Sequence, residues 1–310
     1  MPIAYRPARA QDLERADELV VASINDLTMR HGFGKMASSR PPQFQIFSLK
    51  DDPDGLWVAE DAGQIFGFAW SWICGDLWFL AQLFVSPDRQ GHGIGNELLK
   101  RTWGHAKKNG ATNKALITFT FDTVSQGLYM RHGMFPRFPI YIFSVARERL
   151  AGRLQGAQLR SVPIENTALQ MENLVRIDVQ ALAVSREKHH RYLASDSATR
   201  GVLLYAGGDC VGYVYVSSDG HIGPLAVARP DALGAAFGTS LSLAVGGSSA
   251  QVSAYIPATS ESALGIAVEH VMRITIPMVL MSTRDCGDGL DICPAIRVSC
   301  NRSGDGPWCR

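Results

Sequence analysis

Three glycines at alternate positions are the feature of this sequence that most directly suggests chemistry. They lie in "RQGHGIG" at 89–95, straight after the apolar run "LWFLAQLFV" and straight before a helical pattern. Glycines at a strand-to-helix turn point successive backbone N–H groups, and the positive end of the helix dipole, at one spot. The expected ligand at such a spot is a phosphate group.

Two familiar phosphate-binding motifs do not fit this segment. A P-loop has Gly-Lys-Ser/Thr after its glycines, and none follows here. The dinucleotide fingerprint has a glycine where Asn96 stands and an acidic residue near position 113, which is also absent. By themselves the glycines leave two alternatives open, a phosphate site and a tight turn that serves only packing.

The segment resembles the pyrophosphate loop of the GNAT superfamily of acyl-CoA N-acyltransferases, whose pattern is Gln/Arg-x-x-Gly-x-Gly/Ala. Gln90, Gly93 and Gly95 fill this pattern. The strand before the loop ends in a Leu-x-Val-x-Pro-like run in the family, and "LFVSP" at 83–87 is similar to it. The match therefore includes both the loop and the strand that leads into it.

A later helix extends the resemblance. The family has an Asn and then a Leu-Tyr-x-x-x-Gly-Phe stretch, and this chain has Asp122, "LYMRHG" at 128–133 and Met134. Asp for Asn and Met for Phe are mild departures from the pattern. The resemblance covers about residues 3–145.

The resemblance implies acetyl-CoA as the co-substrate. Backbone N–H groups from Gln90 to Asn96 would bind its pyrophosphate, and the strand backbone around Leu83 to Val85 would pair with the pantetheine arm as an added strand does. The cofactor-binding residues predicted in this way are Leu83, Phe84, Val85, Gln90, Gly91, His92, Gly93, Ile94, Gly95, Asn96 and Asp122.

Tyr129 is the predicted catalytic residue because of its place in the family motif. An amine that attacks a thioester needs an oxyanion stabilised and a thiolate protonated as it leaves. A phenol with a pKa near 10 is protonated at neutral pH and can donate that proton. A backbone N–H near Val85 would hold the oxyanion. The competing interpretation of Tyr129 is a half-buried packing residue.

The general base is not identified by the resemblance. Some family members have a strand glutamate six residues before the valine that matches Val85, but Phe79 stands there in this chain. Glu60, Asp76 and His132 are the alternatives, each acting through ordered water. Loss of the amine proton to bulk solvent at neutral pH costs about 4 kcal/mol for a primary amine.

The glycine segment follows an expected antiparallel meander. Runs at 56–60, 64–73 and 76–85 predict three strands, and their apolar residues fall on both faces, which indicates that helices cover both sides of the sheet. A helix that ends before Gly110, a strand at 114–121 and a short helix from Asp122 to about Gly133 are predicted next. Alternating aromatic side chains of the second run form either core or an acceptor pocket, and core is preferred: Phe66, Phe68, Trp70 and Trp72.

The same order recurs later in the chain. "GQIFGFAW" at 63–70 aligns without gaps on "GDCVGYVY" at 208–215, and "HGMFPRFPIYIF" at 132–143 aligns on "HVMRITIPMVLM" at 270–281. Two matches in one order predict a duplication. The expected fold class is α/β (α+β), with two GNAT-like domains that each have a mixed, mostly antiparallel sheet covered by helices on both faces. The predicted parts are a catalytic domain at 1–147, a linker at 148–158, a degenerate domain at 159–285 and an irregular tail at 286–310.

The second copy lacks the expected chemistry. Leu233 and Ala236 stand where Gln90 and Gly93 stand in the first copy, and Ala267 replaces Tyr129. A methyl group in the loop crowds an approaching phosphate, so the second domain is predicted to be silent. His189 and His190, in the charged segment "REKHHRYL", are expected on a solvated face.

Composition limits the other function classes. The 30 basic and 29 acidic side chains give a formal charge of +1, which argues against nucleic acid or membrane partners. The N-terminus lacks a signal-peptide core and no apolar run reaches about 18 residues, so a cytoplasmic protein is expected. No metal site is predicted.

The predicted function is an N-acetyltransferase that moves the acetyl group of acetyl-CoA to an amine in a direct ternary complex, with its site in the first domain. The acceptor is a small-molecule amine or a protein N-terminus or lysine, and the chain is a monomer or homodimer. The alternative is a non-catalytic acyl-CoA-binding regulatory module.

Overall fold

The computed structural model describes residues 3–154 and 159–284. Internal contacts divide the chain into two compact units. Unit 1 extends to Phe135 and also includes Met281–Arg284, whereas unit 2 comprises Pro136–Leu280. None of the helices in the described ranges is long and apolar enough to cross a membrane.

Unit 1 is a twisted sheet with strand order β1-β2-β3-β4-β5. The first four strands are antiparallel and β5 is parallel to β4, and the meander predicted from the sequence is confirmed. The elements are β1 (Ala4–Pro7), α1 (Leu13–Arg30), α2 (Gln43–Asp51), β2 (Leu56–Asp61), β3 (Gln64–Cys74), β4 (Leu77–Val85), α3 (Ile94–Lys108), β5 (Asn113–Phe119) and α4 (Thr123–Arg131).

Helices cover both faces of this sheet, as predicted. The α3 face is closely packed, because a Cβ on Gly67 would lie 2.8 Å from Leu98 Cδ1 and 3.0 Å from Ile94 Cγ2. On the other face the α2 ring of Phe44 meets Trp70 edge-on, with 5.2 Å between the ring centroids. The aromatic side chains of β3 are buried, which confirms the preferred core interpretation: Phe66, Phe68, Trp70 and Trp72.

A β-bulge in β4 opens the sheet beside the glycine segment. Trp70 pairs with Gln82 and Ser71 pairs with Leu80, so Ala81 is an extra residue in β4. The parallel ladder between β4 and β5 runs from Leu77 only to Leu80, and it therefore ends at the bulge. Bulges bend a strand and increase its local twist. The β4 residues beyond the bulge consequently diverge from β5.

Unit 2 repeats this arrangement, with strand order β12-β6-β11-β10-β9-β8-β7. Its elements are β6 (Phe135–Ala146), α5 (Arg147–Ala151), β7 (Arg160–Pro163), α6 (Ala168–Leu182), α7 (Glu187–Ser195), β8 (Thr199–Ala206), β9 (Asp209–Ser217), β10 (His221–Val227), α8 (Leu233–Val245), β11 (Gln251–Pro257), α9 (Glu261–Glu269) and β12 (Arg273–Ser282), of which β6 starts and β12 ends in unit 1.

The duplication is visible in element positions and in the bulge. The aligned segments place β3 at Gln64 against β9 at Asp209, and β6 at Phe135 against β12 at Arg273. In unit 2 the register between β9 and β10 shifts after Ile222, and the parallel β10–β11 ladder covers only 221–222. In both units the parallel ladder thus ends at a register shift in the preceding strand.

The contact-based units divide the chain between Phe135 and Pro136, whereas the sequence predicts a first domain at 1–147. Strand β6 lies within the range 1–147, and it forms a seven-residue antiparallel ladder with β11, from Ile140 to Ala146. Helix α5 occupies the start of the expected linker, and its Leu150 is buried in the core of unit 2. Positions 155–158 of that linker and the tail at 286–310 lie outside the described residues.

The expectation that the two adjacent histidines of α7 face solvent is wrong. His189 is 7% exposed and His190 is 1% exposed. Helix α7 packs against α6 and β8, and this packing buries one face of α7. The charged residues around the two histidines in the sequence gave no sign of that buried face.

His190 belongs to a buried polar network in unit 2. Asp178 accepts hydrogen bonds from Arg186 Nη2 at 2.7 Å, from Arg186 Nε at 3.0 Å and from the Tyr213 hydroxyl. His190 Nε2 lies 3.0 Å from Asp178 Oδ2 and its Nδ1 lies 3.0 Å from the Tyr215 hydroxyl. A carboxylate only accepts, so Nε2 carries the proton and Nδ1 accepts from Tyr215. Although burial opposes its ionisation, Arg186 and His190 hold the pKa of Asp178 below its usual range.

Candidate functional site

The glycine segment of unit 1 forms an exposed loop that ends in the N-terminus of α3. Gly91 and Gly93 have φ angles of +80° and +81°, a conformation that side chains other than glycine rarely adopt. A Cβ at either position would meet no atom within 4 Å. Gly93 is the N-cap of α3 and offers no side-chain acceptor to the first turn. The first N–H groups of α3 therefore receive no side-chain cap from Gly93, and such groups have no intrahelical partner.

Side chains of the loop bind its own backbone. Gln90 Nε2 donates to the carbonyl oxygen of Val85 at 3.0 Å. His92 Nδ1 lies 2.9 Å from the carbonyl oxygen of Gln90, and since a carbonyl only accepts, Nδ1 is the donor. Ser86 donates to the Asp88 carboxylate and so lowers its pKa. These bonds leave the backbone N–H groups as the donors available to a ligand.

The open edge of β4 presents backbone groups beside this loop. The N–H of Ser86 donates to Phe66 O at 2.8 Å, which directs it toward β3. Strand alternation then directs the backbone of Phe84 toward β3 and that of Leu83 and Val85 toward the edge that β5 has left. Of the three strand residues predicted to pair with a ligand, Leu83 and Val85 have the required orientation.

Gly95 lies where three elements meet. A Cβ built on it would be 3.7 Å from Val85 Cγ2 of β4 and 3.8 Å from Leu128 Cδ2 of α4. The first turn of α3, the open end of β4 and the helix that bears Tyr129 are therefore neighbours. The sequence motifs that predicted the site are thus brought together in space.

Tyr129 is 5% exposed. Within the described part of the chain its hydroxyl has no hydrogen-bond partner. Burial raises its pKa above the usual value of 10.0, and the negative charge of Asp122 raises it further. The phenol therefore keeps its proton at neutral pH.

Asp122 acts locally as the N-cap of α4. Its Oδ1 accepts from the N–H of Ser125 at 3.1 Å, which satisfies one of the free donors of that helix. This capping function confirms the helix start that the sequence predicted. The cofactor contact of Asp122 that the resemblance implies stays a prediction.

Two of the three candidate bases are held in ion pairs. Glu60 receives Arg6 Nε at 3.1 Å and Arg6 Nη2 at 2.7 Å, and this pairing lowers its pKa. Asp76 accepts from the N–H and the hydroxyl of Thr112, each at 2.7 Å, and faces Arg284 at 2.8 Å. The Thr112 bonds, with a smaller contribution from Arg284, lower the pKa of Asp76. Both carboxylates are therefore weak proton acceptors.

The third candidate, His132, has a structural role on the side of α3. Its Nε2 lies 2.7 Å from Asn96 Oδ1, and its ring meets Trp103 edge-on at 4.8 Å. Burial, with the charges of Lys100 and Arg131, lowers its pKa below 6.5. The Asn96 side chain is thereby fixed by His132, which leaves its backbone N–H as the group available to a ligand.

Gln82 is a candidate site residue that the sequence did not single out. It lies in β4 next to the bulge, its side chain is 8% exposed, and its Oε1 has no hydrogen-bond partner in the described residues. Trp70, directly across on β3, has a buried indole N–H that is likewise unpartnered there. Unpaired buried donors and acceptors are rare in folded proteins. A single amide in the otherwise apolar run "LWFLAQLFV" was the available signal.

The corresponding loop of unit 2 lacks the glycine geometry. Helix α8 starts at Leu233, directly after a short 3-10 turn, and no residue from 230 to 238 has a positive φ. Ala236 and Ala267, which align with Gly93 and Tyr129, are completely buried in the unit 2 core. The structure therefore places apolar packing where unit 1 has its open loop and its tyrosine.

Part of the chain matches a known protein family. Residues 22–134 match the model of the acetyltransferase (GNAT) family. No curated protein matches the sequence of the chain significantly.

Several solved structures have the same fold over nearly the whole chain. A putative acetyltransferase from Pyrococcus horikoshii superposes with a TM-score of 0.74 at 16% identity, over 97% of this chain and 96% of its own. A GCN5-related N-acetyltransferase from Sphaerobacter thermophilus gives 0.65 at 14% identity, over 96% and 98%. A tandem GNAT protein from the clavulanic acid biosynthesis pathway gives 0.58 at 16% identity, over 91% and 98%. Residues 22–134 are therefore similar to the acetyltransferase (GNAT) family, and the chain shares the fold of these structures, one of which is a tandem GNAT protein.

Proposed function

We propose that unit 1 transfers an acetyl group from acetyl-CoA to an amine, at a single site beside the N-terminus of α3. The observation that carries the proposal is the meeting point at Gly95. It joins an open backbone edge, a glycine loop with free N–H donors and the helix of a buried protonated tyrosine. Along an acyl-CoA, the pyrophosphate would meet the loop, the pantetheine arm the open edge and the thioester the tyrosine.

The pyrophosphate of acetyl-CoA would lie at the glycine loop. Backbone N–H groups from Gln90 to Asn96 and the positive end of the α3 dipole stabilise its negative charge. Because Gly91 and Gly93 have open space where a Cβ would stand, a phosphate can approach the backbone closely. The amide groups of the pantetheine arm would pair with Leu83 and Val85 on the open edge of β4.

The reaction we propose is a direct transfer in a ternary complex. The amine attacks the thioester carbonyl, and a backbone N–H near Val85 on the open edge of β4 stabilises the oxyanion. Collapse of the tetrahedral intermediate expels the thiolate of CoA, and Tyr129 donates its proton to that sulfur. The attacking nitrogen loses its extra proton to solvent, and the tyrosine regains a proton from solvent, so that the amide and the free thiol of CoA are the products. The raised pKa of Tyr129 keeps the donor protonated over a wide pH range.

Deprotonation of the amine is assigned to solvent. Glu60 and Asp76 have lowered pKa values, and His132 is tied to Asn96 and Trp103. An amine with a pKa near 10.4 must then lose its proton before attack, at a cost of about 4 kcal/mol at neutral pH. Less basic amines would be better acceptors. Small-molecule amines and protein N-termini or lysines are the acceptor classes that we propose.

The test is CoA release in the presence of a panel of amines, with the acetylated product identified by mass spectrometry. We expect thiol release that depends on one class of amine and an increase of 42 Da in that amine. Binding of acetyl-CoA without turnover of any amine would favour the alternative, a regulatory acyl-CoA-binding module.

A further inference from the structure

Three phenylalanine rings stack on one another at the carboxyl end of β5. Phe119 is the last residue of this strand, and its ring centroid lies 5.1 Å from that of Phe121, with 19° between the ring planes. Phe33, in the connection between α1 and α2, stacks on Phe121 at 4.7 Å and 21°. Nearly parallel rings at such separations attract each other. This phenylalanine stack, which comprises Phe33, Phe119 and Phe121, therefore holds the connection against the end of β5.

The phenylalanine stack lies on the sheet face that α2 covers. Trp70 of β3 meets α2, and Trp72, two residues later, points to the same face. Trp72 is paired with Phe79 of β4 and stacks on it, and Phe79 is paired with Ala115 of β5. Directly paired residues share a face, and alternation along β5 then places Phe119 on it as well. The stack thus borders the opening between β4 and β5 from the β5 side.

The outer part of the stack is accessible to a ligand. Phe119 is 5% exposed, whereas Phe33 and Phe121 are half-buried. The exposed ring of His31 lies beside them, with 4.9 Å between its centroid and that of Phe121. An aromatic ring of a ligand can therefore extend the stack on its exposed side, where it gains contacts that a saturated ring lacks.

Gln82 borders the same opening from the β4 side. It is paired directly with Trp70, so its side chain lies on the face of the stack. Its buried Oε1 has no hydrogen-bond partner among the described residues, and such an oxygen accepts from a donor. Rotation about the last side-chain bond can turn Oε1 toward the opening. The next residue, Leu83, lies on the open edge proposed for the pantetheine arm, so a donor held by Gln82 would lie beside that arm.

We infer that the acceptor of the transfer is a small aromatic amine, whose ring extends the phenylalanine stack and whose amino N–H is held by Gln82 Oε1. The inference rests on the proposed function, because it names the acceptor of the same site. The side chain of Gln82 is neutral, so it orients the amino group without removing its proton, which agrees with deprotonation by solvent. A lysine side chain has no ring for the stack, and a small molecule is therefore favoured over a protein lysine.

The test compares benzylamine with cyclohexylmethylamine, two primary amines that have the same number of carbon atoms and differ in the aromaticity of the ring. Their binding to the full chain, with and without CoA, is measured by ligand-observed NMR titration. Benzylamine should bind about 2- to 10-fold more tightly, although the saturated ring is the more hydrophobic one. Equal or weaker binding of benzylamine, or no binding of either amine at millimolar concentration, would overturn the inference.

Turnover separates this inference from the proposed function. With acetyl-CoA present, benzylamine should also have the higher kcat/KM. A preference for benzylamine in binding without any release of CoA would support the aromatic site and refute the transfer. Release of CoA without a preference in binding or in kcat/KM would refute the aromatic site and leave the transfer standing.

Matched variants locate the ring. Phe33→Leu removes the terminal ring of the stack but keeps an apolar side chain, so it should abolish the preference for benzylamine. Phe135→Leu, at an exposed ring outside the stack, should leave the preference unchanged. Phe121→Leu is a second stack variant if Phe33→Leu does not fold. A preference that the folded stack variants retain would overturn the inference.

A further variant locates the amino group. Gln82→Met keeps the length of the side chain and removes the hydrogen-bond acceptor. It should weaken the binding of both amines about 2- to 10-fold and keep the preference for benzylamine, because only the hydrogen bond is lost. Unchanged binding of both amines in the folded variant would contradict the assignment of Gln82 to the acceptor.

Discussion

The side-chain amide of Gln90 donates to the backbone carbonyl of Val85 at 3.0 Å and thereby ties the glycine loop to the end of β4. The hydroxyl of Ser23 approaches the same carbonyl at 3.4 Å. This carbonyl is thus occupied, while the N–H of Val85 remains directed at the open edge. The bond fixes the loop in the shape in which a phosphate would meet it.

Replacement of Gln90 by leucine should weaken acetyl-CoA binding by about 2- to 10-fold, because one hydrogen bond contributes about 0.5 to 1.5 kcal/mol. The measurement is calorimetric titration of the folded variant. Gln170→Leu is the control, since Gln170 makes a comparable bond to a backbone carbonyl, that of Pro163, in unit 2. A larger effect in the control than in Gln90→Leu would refute the role of this bond in the site.

Tyr129→Phe should lower kcat by roughly 10² and change the affinity for acetyl-CoA by no more than a few fold. Only the hydroxyl is lost, so the packing of the buried ring is kept. Tyr5→Phe, on β1 of the same unit, should stay within twofold of the original kcat. An unchanged kcat in Tyr129→Phe would make this tyrosine a packing residue.

The pH dependence of the reaction should be that of the amine. Burial raises the pKa of Tyr129 above 10.0, so its acidic form persists through neutral and moderately alkaline pH. Without a side-chain base, log(kcat/KM) for a primary amine should rise with a slope near one from pH 6 toward the pKa of the amine. A plateau that starts near pH 6 to 7 would instead reveal a protein base with a pKa in that range.

Asp178→Asn should lower the free energy of unfolding of unit 2 by about 3 to 5 kcal/mol. The change leaves the positive charge of Arg186 buried without its counter-ion, and such a loss is costly. Asp231→Asn removes a partner from the exposed pair Arg229–Asp231 and should cost less than about 1 kcal/mol. Urea denaturation followed by circular dichroism measures both. Similar midpoints for the two variants would mean that the buried network adds little stability.

Much of unit 1 was predictable because its signals are local. Apolar runs separated by turns predicted the strands, Asp122 marked the start of α4, and the glycines marked the turn into α3. The sheet opening depends on the extra residue Ala81, and a bulge leaves no clear trace in a continuously apolar strand.

Long-range pairing explains the main differences. The sequence around β6 does not reveal its pairing with β11, because β11 lies in the other repeat, far along the chain. The burial of His190 depends on Asp178, which lies 12 residues away on another helix. Because the neighbours of His190 in "REKHHRYL" are mostly charged, the segment has no apolar periodicity that would predict a buried face.

The central claim is a single acetyl-CoA site at the glycine loop of unit 1. Gly93 and Gly63 provide a matched pair, with φ angles of +81° and +80° and no atom within 4 Å of an added Cβ, so substitution strains both backbones equally. Calorimetric titration with acetyl-CoA should give one site per chain, a Kd at least tenfold higher in Gly93→Val and an unchanged Kd in Gly63→Val. Two equivalent sites per chain, or equal affinity in the two variants, would contradict the account.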